Sequence, residues 1–174
     1  MKNLLVAICF LFIANASQAQ ADGKAIGLRL GSSNFGVGTE ISYQHGFSSK
    51  NRIELDLGWR SNRHYGVFGL SAIYHWAWNI DGGLNWYIGP GGQIGFYSHN
   101  ASFHHGNGHD HDYDDFRESG AVVNIGGQIG LEYDFNEHGV PLQLSLDARP
   151  MWGLFSTYYS GLGYGGALGI RYTF

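Results

Sequence analysis

The stretch 99–118, HNASFHHGNGHDHDYDDFRE, holds five of the chain's nine histidines. They are His99, His104, His105, His109 and His111, and Asp110, Asp112, Asp114 and Asp115 interleave with or follow them. Imidazole nitrogens and carboxylate oxygens side by side suit zinc, copper or nickel. A histidine-rich tract is also a compositional metal signal. The residues placed to ligate are His104, His105, His109, Asp110, His111 and Asp112. Their spacing matches no defined zinc motif, and the only cysteine in the chain is Cys9. The competing account is a solvated acidic loop, since the stretch has a formal charge of −4 and little to pack. No other cofactor is expected.

A second set of polar residues recurs with a period of two: Arg29, Glu40, Glu54, Asp56, Arg60, His75, Gln93, Gln128, Glu132, Asp147, Arg149 and Arg171. Facing one another across a narrow space, they would form either a polar pore or a paired ion network. Pairing is favoured, because buried charges survive only when matched and hydrogen-bonded. Nucleophilic catalysis finds no comparable support. Ser71 and His75 share a strand face, but four residues of strand rise separate them by roughly 13 Å. That is beyond hydrogen-bond reach. No catalytic residue is assigned.

The elements that would position these groups are strands. Eight alternating segments, at 25–31, 35–44, 52–60, 65–78, 84–97, 121–135, 141–155 and 161–174, are separated by polar breaks. The last, GLGYGGALGIRYTF, sets Leu162, Tyr164, Leu168, Ile170, Tyr172 and Phe174 on one face and small or polar residues on the other. Breaks at 45–51, 79–83 and 136–140 read as tight turns. Those at 32–34, 61–64, 99–120 and 156–160 fall on the opposite rim, and one of them is long. A strand of about 9–11 residues tilted ~45° crosses a bilayer.

Residues 1–19 read as a secretory signal peptide, with Lys2, an apolar core from Leu4 to Ala14, and Ser17-Gln18-Ala19 before cleavage. Residues 20–174 then form one domain. Without Lys2, nine basic residues face fourteen acidic ones, a formal charge of −5 that points away from nucleic acid. The exported chain has no disulfide framework.

Which face points outward decides the class. The apolar face carries thirteen aromatics: Trp59, Phe68, Tyr74, Trp76, Trp78, Trp86, Phe96, Tyr133, Phe135, Trp152, Tyr164, Tyr172 and Phe174. An eight-stranded barrel is barely wide enough for its own side chains, so these aromatics belong outside. They sort into a low and a high group, the two girdles of a membrane barrel. Pro90 and Pro150 fall within strands and remove ladder donors, so local bulges are expected there.

On the alternation, the girdles and the terminal Arg171-Tyr172-Thr173-Phe174, residues 25–174 resemble the small eight-stranded outer-membrane proteins of the OmpA/OmpX type. The resemblance implies an all-β, antiparallel up-and-down transmembrane barrel in the outer membrane of a Gram-negative bacterium. It also implies outer-membrane lipid as surroundings and the barrel-assembly machinery as a partner reading Tyr172 and Phe174. A monomer is expected, with a structural or surface-interaction role, no enzyme activity and no open pore. The alternatives are metal binding by the loop at 99–118 and a lipid A-modifying barrel enzyme.

Overall fold

The computed structural model describes residues 23–33, 36–61, 65–102, 115–155 and 161–174. The expected signal peptide and the six expected metal ligands lie outside these residues. Eight strands follow one another: β1 (Lys24–Ser33), β2 (Gly36–Gly46), β3 (Asn51–Ser61), β4 (Tyr65–Asp81), β5 (Leu84–Ser102), β6 (Asp115–Asp134), β7 (Leu142–Phe155) and β8 (Leu162–Thr173). Each pairs antiparallel with the next, and β8 pairs with β1 to close the barrel. The seam runs from Ala25↔Thr173 to Ser32↔Gly166, and the Phe174 amide donates to the Lys24 carbonyl at 2.9 Å. Closure leaves the sheet without an edge, so every strand finds a partner on both sides.

Period-two patterning sets the register. One-residue slips would move a strand's whole apolar set to the lumen. Trp59, Phe68 and Phe96 pair successively across β3, β4 and β5 and face outward. Lower down, Trp78 and Trp86 are cross-strand partners with rings stacked at 4.5 Å. Tyr172 and Phe174 stack beside the seam, and Tyr133 meets Phe135 edge-on. All thirteen expected aromatics are outside the lumen, with an aliphatic band including Leu30, Ile41, Leu146 and Leu168 between the two groups. In water this would be an apolar patch of a size that soluble monomers avoid.

Three details differ from expectation. The prolines cause no bulge. At Pro90 the β4–β5 ladder skips from Ile73↔Gly91 to Trp76↔Ile88 without changing register. Gly89 lies so near the Tyr74 carbonyl that a Cβ there would sit 1.6 Å from its oxygen. At Pro150 the β6–β7 ladder is interrupted in the same way, with Gly126 against the Pro150 carbonyl. Glycine lets the backbones close over a missing donor. Register shifts elsewhere: at Leu154, where Val123 pairs with Phe155 but Asn124 pairs with Gly153, and at Ile80, where Asn79 pairs with Asn85 but Asp81 pairs with Leu84. Second, Phe135 belongs to a single 3-10 turn over 135–138 rather than to the end of a strand, and that turn is capped by Asp134 and closed by Gly139 at φ 74°. Third, β5 and β6 continue pairing well into the expected loop, out to Ser102↔Asp115.

Candidate functional site

The lumen is where the polar residues converge. Register places a small residue opposite nearly every large charge. Arg171 faces Gly27, Arg29 faces Gly169, Glu40 faces Gly58, and Arg149 faces Gly165. A Cβ on Gly169 would lie 2.5 Å from Ser145 Oγ and 3.2 Å from both Arg29 Cγ and Arg171 Nη1. The inward glycines are therefore volume, given up so that guanidinium groups fit.

The side chains pair in tiers. Nearest the outer rim, Arg60 donates to Glu40 at 2.9 Å and Asn124 to Gln93 at 3.1 Å. Below them Arg29 donates to Glu40, Asp147 and, at 3.2 Å, Asp56. Arg149 reaches Asp56 at 2.6 Å, Gln128 at 2.9 Å and Ser71 at 3.2 Å. Deeper still, Arg171 donates to Glu54 at 2.7 Å, Ser145 at 2.9 Å and Ser42 at 3.0 Å. Glu54 is wholly buried and also accepts from Gln44, Gln128 and Arg149. At the inner end Arg52 forks onto Glu132, lies 4.9 Å above the Tyr87 ring, and approaches His75 Nδ1 at 3.4 Å.

Every residue of the inward set points into the lumen, and all but the half-buried Gln93 are buried. Arg52 and Tyr87 were not assigned to it, although strand parity with Glu54 and Gly89 was the available signal. With Arg52 the described lumen holds five arginines against the five carboxylates Glu40, Glu54, Asp56, Glu132 and Asp147. In a low-dielectric interior, matched and hydrogen-bonded charges of this kind hold one another in place. The middle and inner tiers plug the barrel. Above them a cavity of about 40 Å³ remains, bordered by Arg60, Gln93, Asn124 and Arg149.

Ser71 and His75 serve different tiers, Ser71 accepting from Arg149 and His75 standing beside Arg52. Among the described residues no group of three or more His, Cys, Asp or Glu could hold a metal ion. His104, His105, His109, Asp110, His111 and Asp112 belong to the segment joining β5 to β6 and lie outside the described residues, beyond the Ser102↔Asp115 pair.

No protein-family model matches the chain, and no curated protein matches it in sequence. Solved structures do. The chain is similar to Neisserial surface protein A, with a TM-score of 0.59 and 13% identity over 87% of this chain and 95% of that one. It is also similar to Ail, the attachment invasion locus protein of Yersinia pestis, at 0.55 and 12% over 86% and 95%. A third is the N-terminal β-barrel domain of Pseudomonas aeruginosa OprF, at 0.52 and 20% over 86% and 97%. The fold is that of the small eight-stranded outer-membrane barrels. At such identities the likeness concerns architecture, and activity has to be argued from the chain's own residues.

Proposed function

We propose that the protein is an outer-membrane barrel of a Gram-negative bacterium that acts as a non-enzymatic structural and surface-interaction protein and is not an open pore. One observation carries the interaction role. Among the described residues, the β6–β7 ladder runs to Val123↔Phe155 and the β4–β5 ladder to Tyr65↔His99, whereas β5 and β6 are paired as far as Ser102↔Asp115. At about 3.4 Å per residue, β6 runs some 27 Å beyond its last described rung with β7, and β5 some 10 Å beyond its last described rung with β4. A barrel whose interior is packed with ion pairs has its accessible chemistry at that rim. Ail, a similar structure, is named for attachment and invasion.

The test is an epitope inserted between Gly106 and Asn107, read on intact cells and in membrane fractions. Recovery in the outer-membrane fraction with the epitope accessible is expected. Recovery in the soluble periplasmic fraction would overturn the proposal.

The composition of 99–118 favours a second reading, capture of Zn²⁺, Cu²⁺ or Ni²⁺ at the hairpin tip. Calorimetric titration of the detergent-folded protein, with and without 104–115, separates the two. Heat that disappears with the deletion supports a metal site, and absent or unchanged heat removes it.

A further inference from the structure

Within the barrel wall every strand has two neighbours, but above the outer rim one strand loses a neighbour. The β5–β6 ladder is unbroken from Leu84↔Tyr133 to Ser102↔Asp115, while among the described residues β7 accompanies β6 only to Val123↔Phe155. The β7–β8 connection is too short to make up the difference. The Gly153 amide donates to the Gly161 carbonyl at 3.0 Å, so residues 154–160 must leave that rung and return to it. Only half of them can run outward, which carries β7 no further than the level of Ala121. Asp115–Gly120, ~20 Å of strand at the usual rise, therefore has β5 on one side and no described strand on the other.

Pro90 shows which backbone groups face that open side. It has no amide hydrogen, yet it pairs with Gly127. That rung must be held by the residues flanking it, so Gly126 and Gln128 are the β6 residues bonded to β5. Alternation along an antiparallel ladder without register shift then turns every even-numbered β6 residue toward β5 and every odd-numbered one away from it. Asp115, Arg117 and Ser119 each present an N–H and a C=O to the open side. This is a row of main-chain donors and acceptors of the kind to which another strand can add.

Proteins blunt such edges with proline, bulges or charge. Proline is absent between Asp115 and Gly120, and the β5–β6 ladder has no bulge, so only charge remains. Charge selects among partners rather than excluding them all. The stretch 99–118 has a formal charge of −4, which opposes the approach of a second copy and favours a segment of opposite sign.

We propose that Asp115–Gly120 is a docking edge that adds an extended, lysine- or arginine-rich segment of another protein as an extra strand. Main-chain hydrogen bonds supply the affinity, and charge supplies the selection. The inference rests on the surface-interaction role proposed above and names the kind of partner which that role would serve.

The test uses the full chain folded in detergent micelles, with folding confirmed by the mobility difference between heated and unheated samples. Short fluorescent peptides are titrated and read by anisotropy: an alternating Lys/Val/Thr peptide, its counterpart with Glu for Lys, and a Lys-bearing peptide with proline at every second position. Saturable binding of the first is expected, with the other two weaker by about tenfold or more, the scale of one lost hydrogen bond or charge contact. Ser119→Pro removes a donor from the open side and none from the β5 ladder, so it is expected to weaken the first peptide about tenfold in an intact barrel. Asp115→Asn combined with Glu118→Gln is expected to narrow the preference for Lys over Glu.

Absent binding, equal binding of the proline-bearing peptide, or indifference to Ser119→Pro would overturn the docking edge. A preference for the Glu peptide would overturn the basic partner. A dimer in sedimentation that Ser119→Pro dissolves would overturn it too, by giving the edge to a second copy. Peptide binding by a protein whose epitope is inaccessible on cells would sustain the edge and sink the surface role. Absent binding with an accessible epitope would do the reverse.

Discussion

Arg171 and Glu54 are 117 residues apart in the chain and meet at 2.7 Å in the middle of the lumen, with neither side chain reaching solvent. Glu54 is the more deeply committed partner, because Gln44, Gln128 and Arg149 also donate to it and Arg29 Nε lies 3.7 Å away. Breaking a buried pair by removing one member costs about 3–5 kcal/mol, since the survivor is left charged and uncompensated. Glu54→Leu is expected to cost at least that much, and Arg171→Met less, because Glu54 retains other cationic neighbours. The double variant is expected to recover part of the loss. Urea unfolding of the protein in bilayers, arranged as a double-mutant cycle, measures all three. Additive losses would mean the two residues do not act as a pair.

The inward and strand-packing glycines divide into those that cannot accept a side chain and those that can. A Cβ on Gly89 would lie 1.6 Å from the Tyr74 carbonyl oxygen, a backbone atom that cannot swing aside. At Gly66 a Cβ would meet nothing within 4 Å. Gly89→Ala is expected to destabilise the barrel by about 1–3 kcal/mol or more, the scale of overpacking, and Gly66→Ala to be nearly neutral. The same unfolding experiment distinguishes them. Equal stability of the two variants would mean that the Pro90 interruption does not depend on the close approach of β4.

Period-two patterning alone was enough for strand number, strand direction and facing, because a closed barrel demands strict alternation and the lumen cannot hold Trp76 or Trp86. The lumen set was readable for the same reason. Arg52 shares its strand parity with Glu54 but opens its strand beside a turn, where position suggests solvent, and its reach to Glu132 shows which environment wins. The tolerance of Pro90 and Pro150 was not readable, since it depends on which glycine of a neighbouring strand comes alongside. Register decides that, and a single strand's composition does not contain it. Nor could the Leu154 bulge be foreseen, because nothing local marks it.

All five tryptophans are exposed on the outer wall, in two groups: Trp59 and Trp152 high, and Trp76, Trp78 and Trp86 low. With the barrel in bilayers, lipids brominated on their acyl chains are expected to quench most of the emission, and aqueous iodide very little. Strong iodide quenching would mean that the apolar band faces water. Within the low group, the stacked pair Trp78 and Trp86 is expected to show a coupling of about 0.5–1.5 kcal/mol in a double alanine cycle, the usual worth of such a contact beyond its buried area.

The chain's last residue separates two roles that are easily confused. The Phe174 amide closes onto Lys24 and its ring stacks on Tyr172, so it adds one hydrogen bond and one aromatic contact to a seam already carrying eight register pairs. A net hydrogen bond is worth roughly 0.5–1.5 kcal/mol, and an aromatic pair about as much again. Removing Phe174 should therefore weaken the finished barrel modestly and leave detergent refolding largely intact. If Tyr172 and Phe174 are instead read by the assembly machinery, the loss in cells should far exceed the loss in the tube. Comparing refolded yield with outer-membrane yield for the Phe174 deletion and for Tyr172→Ala measures the difference. Equal deficits in both settings would reduce the terminal aromatics to seam contacts, and a deficit confined to cells would make them a recognition signal.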